Sequence, residues 1–185
     1  MLTLTIPAVT TDLWDEENEV FITSTSSGER TLHLEHSLIS LSKWESKWKK
    51  PFLATNDKTT EQVIDYIKLM TLDKNVPDEI YDRFTKEHYK QIDDYLNDPM
   101  TATTINERNQ PPRSREIITS EIIYYWMIAF NIPFECEKWH INRLLTLIRV
   151  CGIKNEPPKK RGKADIARSY AAINAARRKR LGTKG

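Results

Sequence analysis

Cysteine is scarce in this chain. Two of 185 residues, Cys136 and Cys151, are thiols, which excludes a disulfide framework and points to a reducing compartment. Five glycines leave little room for a glycine-rich nucleotide cradle, and the pattern GxxxxGK[ST] does not occur. GxSxG, HExxH and CxxC are likewise missing. No apolar run reaches the ~18 residues that would cross a bilayer. The opening string MLTLTIPAVTTDLWDEENE lacks a basic segment and turns acidic early, so no secretory signal is expected. These absences argue against secreted, membrane-spanning and nucleotide-hydrolysing classes. What is there has the balance of a folded domain: 39% hydrophobic and 29% charged residues, with a mean hydropathy of -0.58. The length suits one domain, or one domain and a tail.

A formal net charge of +2 hides an uneven distribution. Eleven Lys/Arg against two acids give residues 154–185 a net of +9, leaving 17 basic and 24 acidic residues, net −7, before them. An acidic body with a basic tail is soluble and polarised, and the tail is suited to an acidic partner.

Hydrophobic periodicity divides the body. Leu2, Leu4 and Ile6 alternate with threonines as in a half-buried strand. The runs Val20–Thr23 and Thr31–Glu35 flank Ser26-Ser27-Gly28 and read as a hairpin, with Asp12–Glu19 as a loop. From Ser37 the period becomes helical. Ser42 and Glu45 have capping-box spacing, with Leu41, Trp44 and Trp48 on one face and Pro51 as a stop. Thr59 and Gln62 open a second helix with Val63, Tyr66, Ile67 and Met70 inward. Pro77 opens a short helix through Phe84, and Thr85 caps another with Tyr89, Ile92 and Leu96 inward. Residues 98–114, with three prolines, form a polar connector. Ile117–Phe130 is the most apolar stretch, greasy almost all round, and is expected to be the central buried helix. With the amphipathic segment Trp139–Ile148 it forms an αα-hairpin, whose Tyr124, Trp126, Phe130 and Trp139 make it the expected centre of stability. Residues 156–160 read as a stiff linker. The Ala- and Arg-rich segment 164–181 reads as a helix with only a narrow apolar stripe.

The expected fold class is α+β, mainly α-helical. A β unit (1–35) packs on a helical body (36–155) with a central αα-hairpin, and 156–185 is a linker and basic helical tail.

Chemistry-bearing residues are sparse. Cys136, His140 and Cys151 would supply three metal ligands, but no fourth is apparent, so buried thiols are the expectation. His33 and His36 would face opposite sides of a strand. Asp93-Asp94 and Glu16-Glu17 are adjacent in sequence, which does not make them converge in a pocket. No cofactor, metal site or enzymatic activity is expected. Trp44, Trp48 and Phe52, among Lys43, Lys47, Lys49 and Lys50, form an aromatic–basic cluster with two readings. One is a helix packed on the β unit with its lysines solvated. The other is a partner groove, because Trp is enriched in interface hot spots. In the tail, Ile166, Tyr170, Ile173, Arg177, Arg178, Lys179 and Arg180 are the candidate contact residues. The basic run suits phosphates, yet it lacks interleaved aromatics and the acidic body repels nucleic acid. An oligomer is left open.

The strings HSLISLSKWESKWKKPFL (36–53), REIITSEIIYYWMIAFNIPFECEKWHINRLLTLIRVCGIKN (115–155) and INAARRKRLGTKG (173–185) resemble tail assembly chaperones encoded by tailed bacteriophages. The likeness covers most of the chain from His36 onward. It implies a late-expressed assembly factor in the host cytoplasm, bound to the tape measure and recruiting tail tube subunits. Some such proteins are also made as a longer frameshifted product. A permanent tail or baseplate component, located in the virion, is the alternative, and a nucleic-acid-binding phage protein a weaker one. The family offers no catalytic motif. A deep pocket with converging ionisable groups, or a bound metal or nucleotide, would overturn a purely binding role.

Overall fold

A computed structural model of the chain describes residues 1–16, 19–105, 116–155 and 162–182. The expected linker 156–160 and the connector from residue 106 onward lie outside them. Proximity along the backbone divides the chain into Met1–Gly152 and Ile153–Gly185.

The N-terminal unit is a long antiparallel ribbon in two parts. β1 (Leu2–Ile6) pairs with β4 (Arg30–Leu34), and β2 (Val9–Asp15) with β3 (Val20–Ser27). The sequence reading is corrected here: Val20–Thr23 pairs with the acidic segment, which is strand over Asp12–Asp15 rather than loop, and Thr31–Leu34 pairs with β1. Register explains the choice. Leu4 sits opposite Leu32 and Leu2 opposite Leu34, so Leu4, Ile6, Leu32 and Leu34 bury one continuous face. Pro7 follows β1; it has no N–H to donate and interrupts the ladder. Arg83 closes the break by donating Nη2–H to the Pro7 and Gly28 carbonyls.

The helical body follows the β unit. α1 (Leu38–Trp48) starts at a capping box formed by Ser37 and Ser40, not by Ser42 and Glu45, because Glu45 is buried and bonded elsewhere. α1 ends on Lys49 with φ 54, a left-handed turn. α2 (Thr60–Met70) has the expected Thr59–Gln62 capping box and buries Tyr66, Ile67 and Met70. α3 (Glu79–Asp82) is one turn, and α4 (Lys86–Asn97) begins at a Thr85–His88 capping box. α4 seats His88, Ile92 and Tyr95 in the interior; Tyr89 and Leu96 are half-buried. α5 (Ser120–Ala129), a 3₁₀ helix (Phe134–Lys138) and α6 (Ile141–Asn155) follow. The architecture is α+β and mainly helical, with the β unit packed on the helices through its leucines.

α5 is not the fully buried centre its composition predicts. It buries Ser120, Ile123 and Met127, the i, i+3, i+7 face that meets α1. Tyr124, Trp126, Phe130 and Trp139 are half-buried. The largest fully buried side chains come instead from β1, β4, α1 and α2 as well as the hairpin: Trp44, Leu4, Ile6, Leu32, Leu34, Leu38, Leu41, Ile67, Met70, Ile123, Met127 and Ile141. The β unit and α1 share the load because one helix can show only one stripe to a single layer of neighbours.

In the second unit, α7 (Lys163–Leu181) ends on Gly182, whose φ of 67 suits a glycine C-cap. Its last turn carries Arg178, Lys179 and Arg180, favourable at the negative end of the helix dipole.

Candidate functional site

The aromatic–basic cluster on α1 divides by burial. Trp44 is 0% exposed and donates Nε1–H to the Gln62 carbonyl at 2.9 Å. Phe52 is buried, with its ring 5.0 Å from that of Trp44 and 3.9 Å from that of Tyr66. Trp44 is an interior residue through which α1 packs on α2, which corrects its placement on a contact surface; Phe52, in the loop after α1, is buried too but borders the groove described below. Trp48 is half-buried and donates to Asp65 at 2.8 Å, where Lys47 also binds at 2.5 Å. Lys43, Lys47, Lys49 and Lys50 are exposed.

Glu45 is a functional part of the scaffold that sequence reasoning missed. Its buried carboxylate accepts from the Phe52 N–H at 2.8 Å and from the Ser120 N–H at 2.7 Å. One side chain thereby anchors the α1–α2 loop and the start of α5. Nothing local in the sequence signals this, since the partners lie 7 and 75 residues away.

Beside this anchor lies a groove of about 630 Å³, within the ~300–1,000 Å³ usual for ligand sites. Its aromatic lining is His36, Phe52, Tyr66 and Tyr89. Aliphatic lining comes from Leu53, Val63, Ile67, Ile92 and Leu96. Asn56, Asn97 and Asn142 supply amides, and Lys58 and Asp93 opposite charges. Loop, α2, α4 and α6 all contribute, so the groove exists only in the folded chain. Lys58 Nζ lies 4.4 Å from the centre of the Phe52 ring, a cation–π contact, and also donates to the Thr55 carbonyl. Burial lowers its pKa from the ordinary lysine value.

Ionisable groups do line this pocket, the kind of feature that counts against a purely binding role, so their states matter. The Tyr66 hydroxyl and His36 Nδ1 share a hydrogen bond of 2.5 Å. Burial, and then the neighbouring His140, lowers the His36 pKa to about 3. Burial drives the Tyr66 hydroxyl upward from its ordinary value. At neutral pH both are uncharged, and neither sits near the pKa an acid–base catalyst needs. The pair is a polar patch in an aromatic wall, suited to orienting a bound group. His140 is committed as well: Nε2 meets the Tyr95 carbonyl at 3.0 Å and Nδ1 accepts from the Asn142 N–H at 3.3 Å. His33 turns to Asp73 instead, 3.1 Å away. Cys136 is buried and Cys151 half-buried. Among the described residues no three His, Cys, Asp or Glu side chains group as a metal site.

Two exposed surfaces complete the picture. The outer side of α5 presents Tyr125, 67% exposed, and Ile128, 61% exposed, with Ile117 and Phe134 nearby in sequence and also exposed. The Phe134 ring lies 6.4 Å from that of Tyr124, whose hydroxyl donates to Glu137 at 2.9 Å. On the β2–β3 ribbon, Trp14 and Phe21 form an exposed cross-strand pair with ring centres 4.9 Å apart. In the tail, Tyr170, Ile173, Arg177, Arg178, Lys179 and Arg180 are all exposed on α7; the side chain of Ile166 lies outside what the structure describes. The groove, the α5 surface and the ribbon pair carry no sequence signature beyond hydrophobicity. Among the described residues no helix is long and apolar enough to cross a membrane.

Comparison with protein-family models, with curated proteins and with solved structures finds no match to this chain.

Proposed function

We propose that this protein is a tail assembly chaperone of a tailed bacteriophage, working by reversible, non-covalent binding of the tape measure and tail tube proteins in the host cytoplasm. The phage identity rests on the resemblance over 36–53, 115–155 and 173–185. The observation that carries the binding role is the exposed side of α5: the most apolar helix of the chain keeps Tyr125 and Ile128 in solvent. Large apolar side chains grouped at a surface mark interaction sites.

The groove supports the same reading. Aromatic and aliphatic walls with amides between them suit the apolar side chains of an amphipathic client helix. An uncharged His36–Tyr66 pair favours binding over proton transfer, so the protein makes and breaks no covalent bond in this reading. The basic helix α7 adds long-range attraction for acidic partners, which raises association rate and is weakened by salt. Contacts of this kind are released when tube subunits compete for the client.

The test is co-purification of the full chain with its phage's tape measure protein, together with mass spectrometry of purified virions. A chaperone is recovered with the tape measure and is nearly absent from virions. Presence in virions at fixed copy number would make it a structural tail component instead. Failure to bind the tape measure or the tube protein, with tight and steeply salt-dependent DNA binding, would replace both readings by a nucleic-acid-binding one.

A further inference from the structure

The groove bordered by α2 and α4 is graded from inside to rim. His36, Phe52, Tyr66 and Ile92 are its buried lining, while Asp93 and Asn97 are exposed. Part of the interior is an aromatic wall: the Phe52 and Tyr66 rings lie 3.9 Å apart, tilted by 30°. From α4 come Tyr89, Ile92 and Leu96, at steps of three and four and so on one side of that helix.

His36 leaves this interior with an unmet polar atom. It is 3% exposed; Nδ1 shares its bond with the Tyr66 hydroxyl, and Nε2 has no partner among the described residues. None of their side-chain nitrogens or oxygens is both sealed from solvent and unpartnered. Nε2 therefore opens onto free space, and the space that His36 borders is the groove. The neighbouring His140 has both ring nitrogens bonded. An uncharged imidazole set in an aromatic wall calls for an uncharged hydrogen-bonding group, because a charge brought there would lose its water. An apolar body must carry that group past Phe52. Tyrosine is built this way. Its ring suits the aromatic wall, and its terminal hydroxyl both donates and accepts, so it meets either tautomer of His36. Lys58 and Asp93 add one charge of each sign to the groove, and neither forms an ion pair among the described residues. The exposed tyrosines of this chain lack the matching flanks: Tyr125 has no base and Tyr170 no acid within four residues.

We propose that the groove seats one tyrosine side chain of the client, its ring on Phe52 and Tyr66 and its hydroxyl bonded to His36, in a segment whose flanking acid and base meet Lys58 and Asp93. This rests on the client-binding reading above and names the side chain that the groove takes. Specificity comes from the hydroxyl, since phenylalanine would fill the same space and leave Nε2 unpartnered.

The test titrates the full chain with N-acetyl-tyrosinamide and N-acetyl-phenylalaninamide, which differ by one hydroxyl, while nitrogen NMR follows the His36 ring. The tyrosine compound should bind about three- to ten-fold more tightly, the worth of one hydrogen bond. It should also move the Nε2 resonance, which the phenylalanine compound leaves in place. His36→Asn, checked for folding by circular dichroism, should bind the two equally; if that variant does not fold, the Nε2 resonance decides. The tyrosine compound should compete with the tape measure protein for the chain, and K58M/D93N should weaken capture of that protein by about three- to ten-fold. Equal binding of the two compounds by the wild type, no binding of either up to its solubility limit, or a preference that survives in His36→Asn overturns the proposal. Capture of the tape measure that the tyrosine compound does not disturb, or that K58M/D93N leaves unchanged, also overturns it while the client reading stands. A hydroxyl preference with no capture of any tail protein overturns the client reading and leaves the tyrosine seat.

Discussion

At the scale of single residues, Glu45 and His36 bear most on stability. Glu45 accepts two backbone N–H groups from distant segments inside the protein. Glu45→Ala would leave both donors buried without a partner, at roughly 1–3 kcal/mol each. Urea denaturation should therefore show a loss of about 2–6 kcal/mol, with the α1–α2 loop more open to proteolysis. His36 sets a pH dependence. Its folded pKa, about 3, lies below the ordinary 6.5, with burial the main cause and His140 the second. The unfolded chain therefore binds more protons between those values, and stability falls as pH drops from 6.5 toward 3, being fully present above 6.5. His140, lowered mainly by burial, acts in the same direction. For His36 the limiting slope is about 1.4 kcal/mol per pH unit. A denaturation series through the acid range should show this decline. His36→Asn, whose amide can donate to or accept from the Tyr66 hydroxyl, should flatten it, and an unchanged slope in that variant would remove His36 from the account.

At the scale of elements, α5 separates packing from surface chemistry within one helix. Met127 is fully buried while Ile128, its neighbour, is 61% exposed. Met127→Ala should cost about 2–5 kcal/mol through the cavity it leaves. Ile128→Ser should stay within about 0.5 kcal/mol of the parent and weaken binding of the client. Thermal melts set beside a binding assay distinguish the two. If Ile128→Ser destabilises as much as Met127→Ala, the outer side of α5 is part of the core after all. Local signals predict the helices themselves well. The Thr59–Gln62 and Thr85 caps were readable because a capping box acts within four residues. The start of α1 was misplaced because Ser42 and Glu45 satisfy the same spacing as Ser37 and Ser40. Burial of Glu45, a tertiary fact, decides between them. The strand pairing was misread for a similar reason: several threonine-rich runs alternate equally well, and only the shared burial of Leu4 with Leu32 selects the partner.

At the scale of the whole molecule, the chain divides into Met1–Gly152 and Ile153–Gly185. The hydrophobic core lies within the first unit, from Leu4 to Ile148. A chain ending at Asn155 should therefore keep a cooperative unfolding transition and, on the proposed function, bind the client more weakly. Full client affinity in that truncation would remove the basic arm from the mechanism, and loss of the transition would show that the body needs the tail. Raising salt should weaken client binding by the full chain far more than by the truncated one, because the separated charges of +9 and −7 act through solvent and are screened.

The sequence by itself determined the helical character of the body, the β character of the first segment, the basic tail and the charge polarity. Each depends on periodicity, caps or charges counted over neighbouring residues. Only the tertiary structure decided that Trp44 and Phe52 are interior, that α5 keeps an apolar side in solvent, and that His36, Tyr66, Ile92 and Asn142 border one groove. Those outcomes depend on which surfaces meet, and a hydrophobic residue favours burial without specifying the neighbour that buries it.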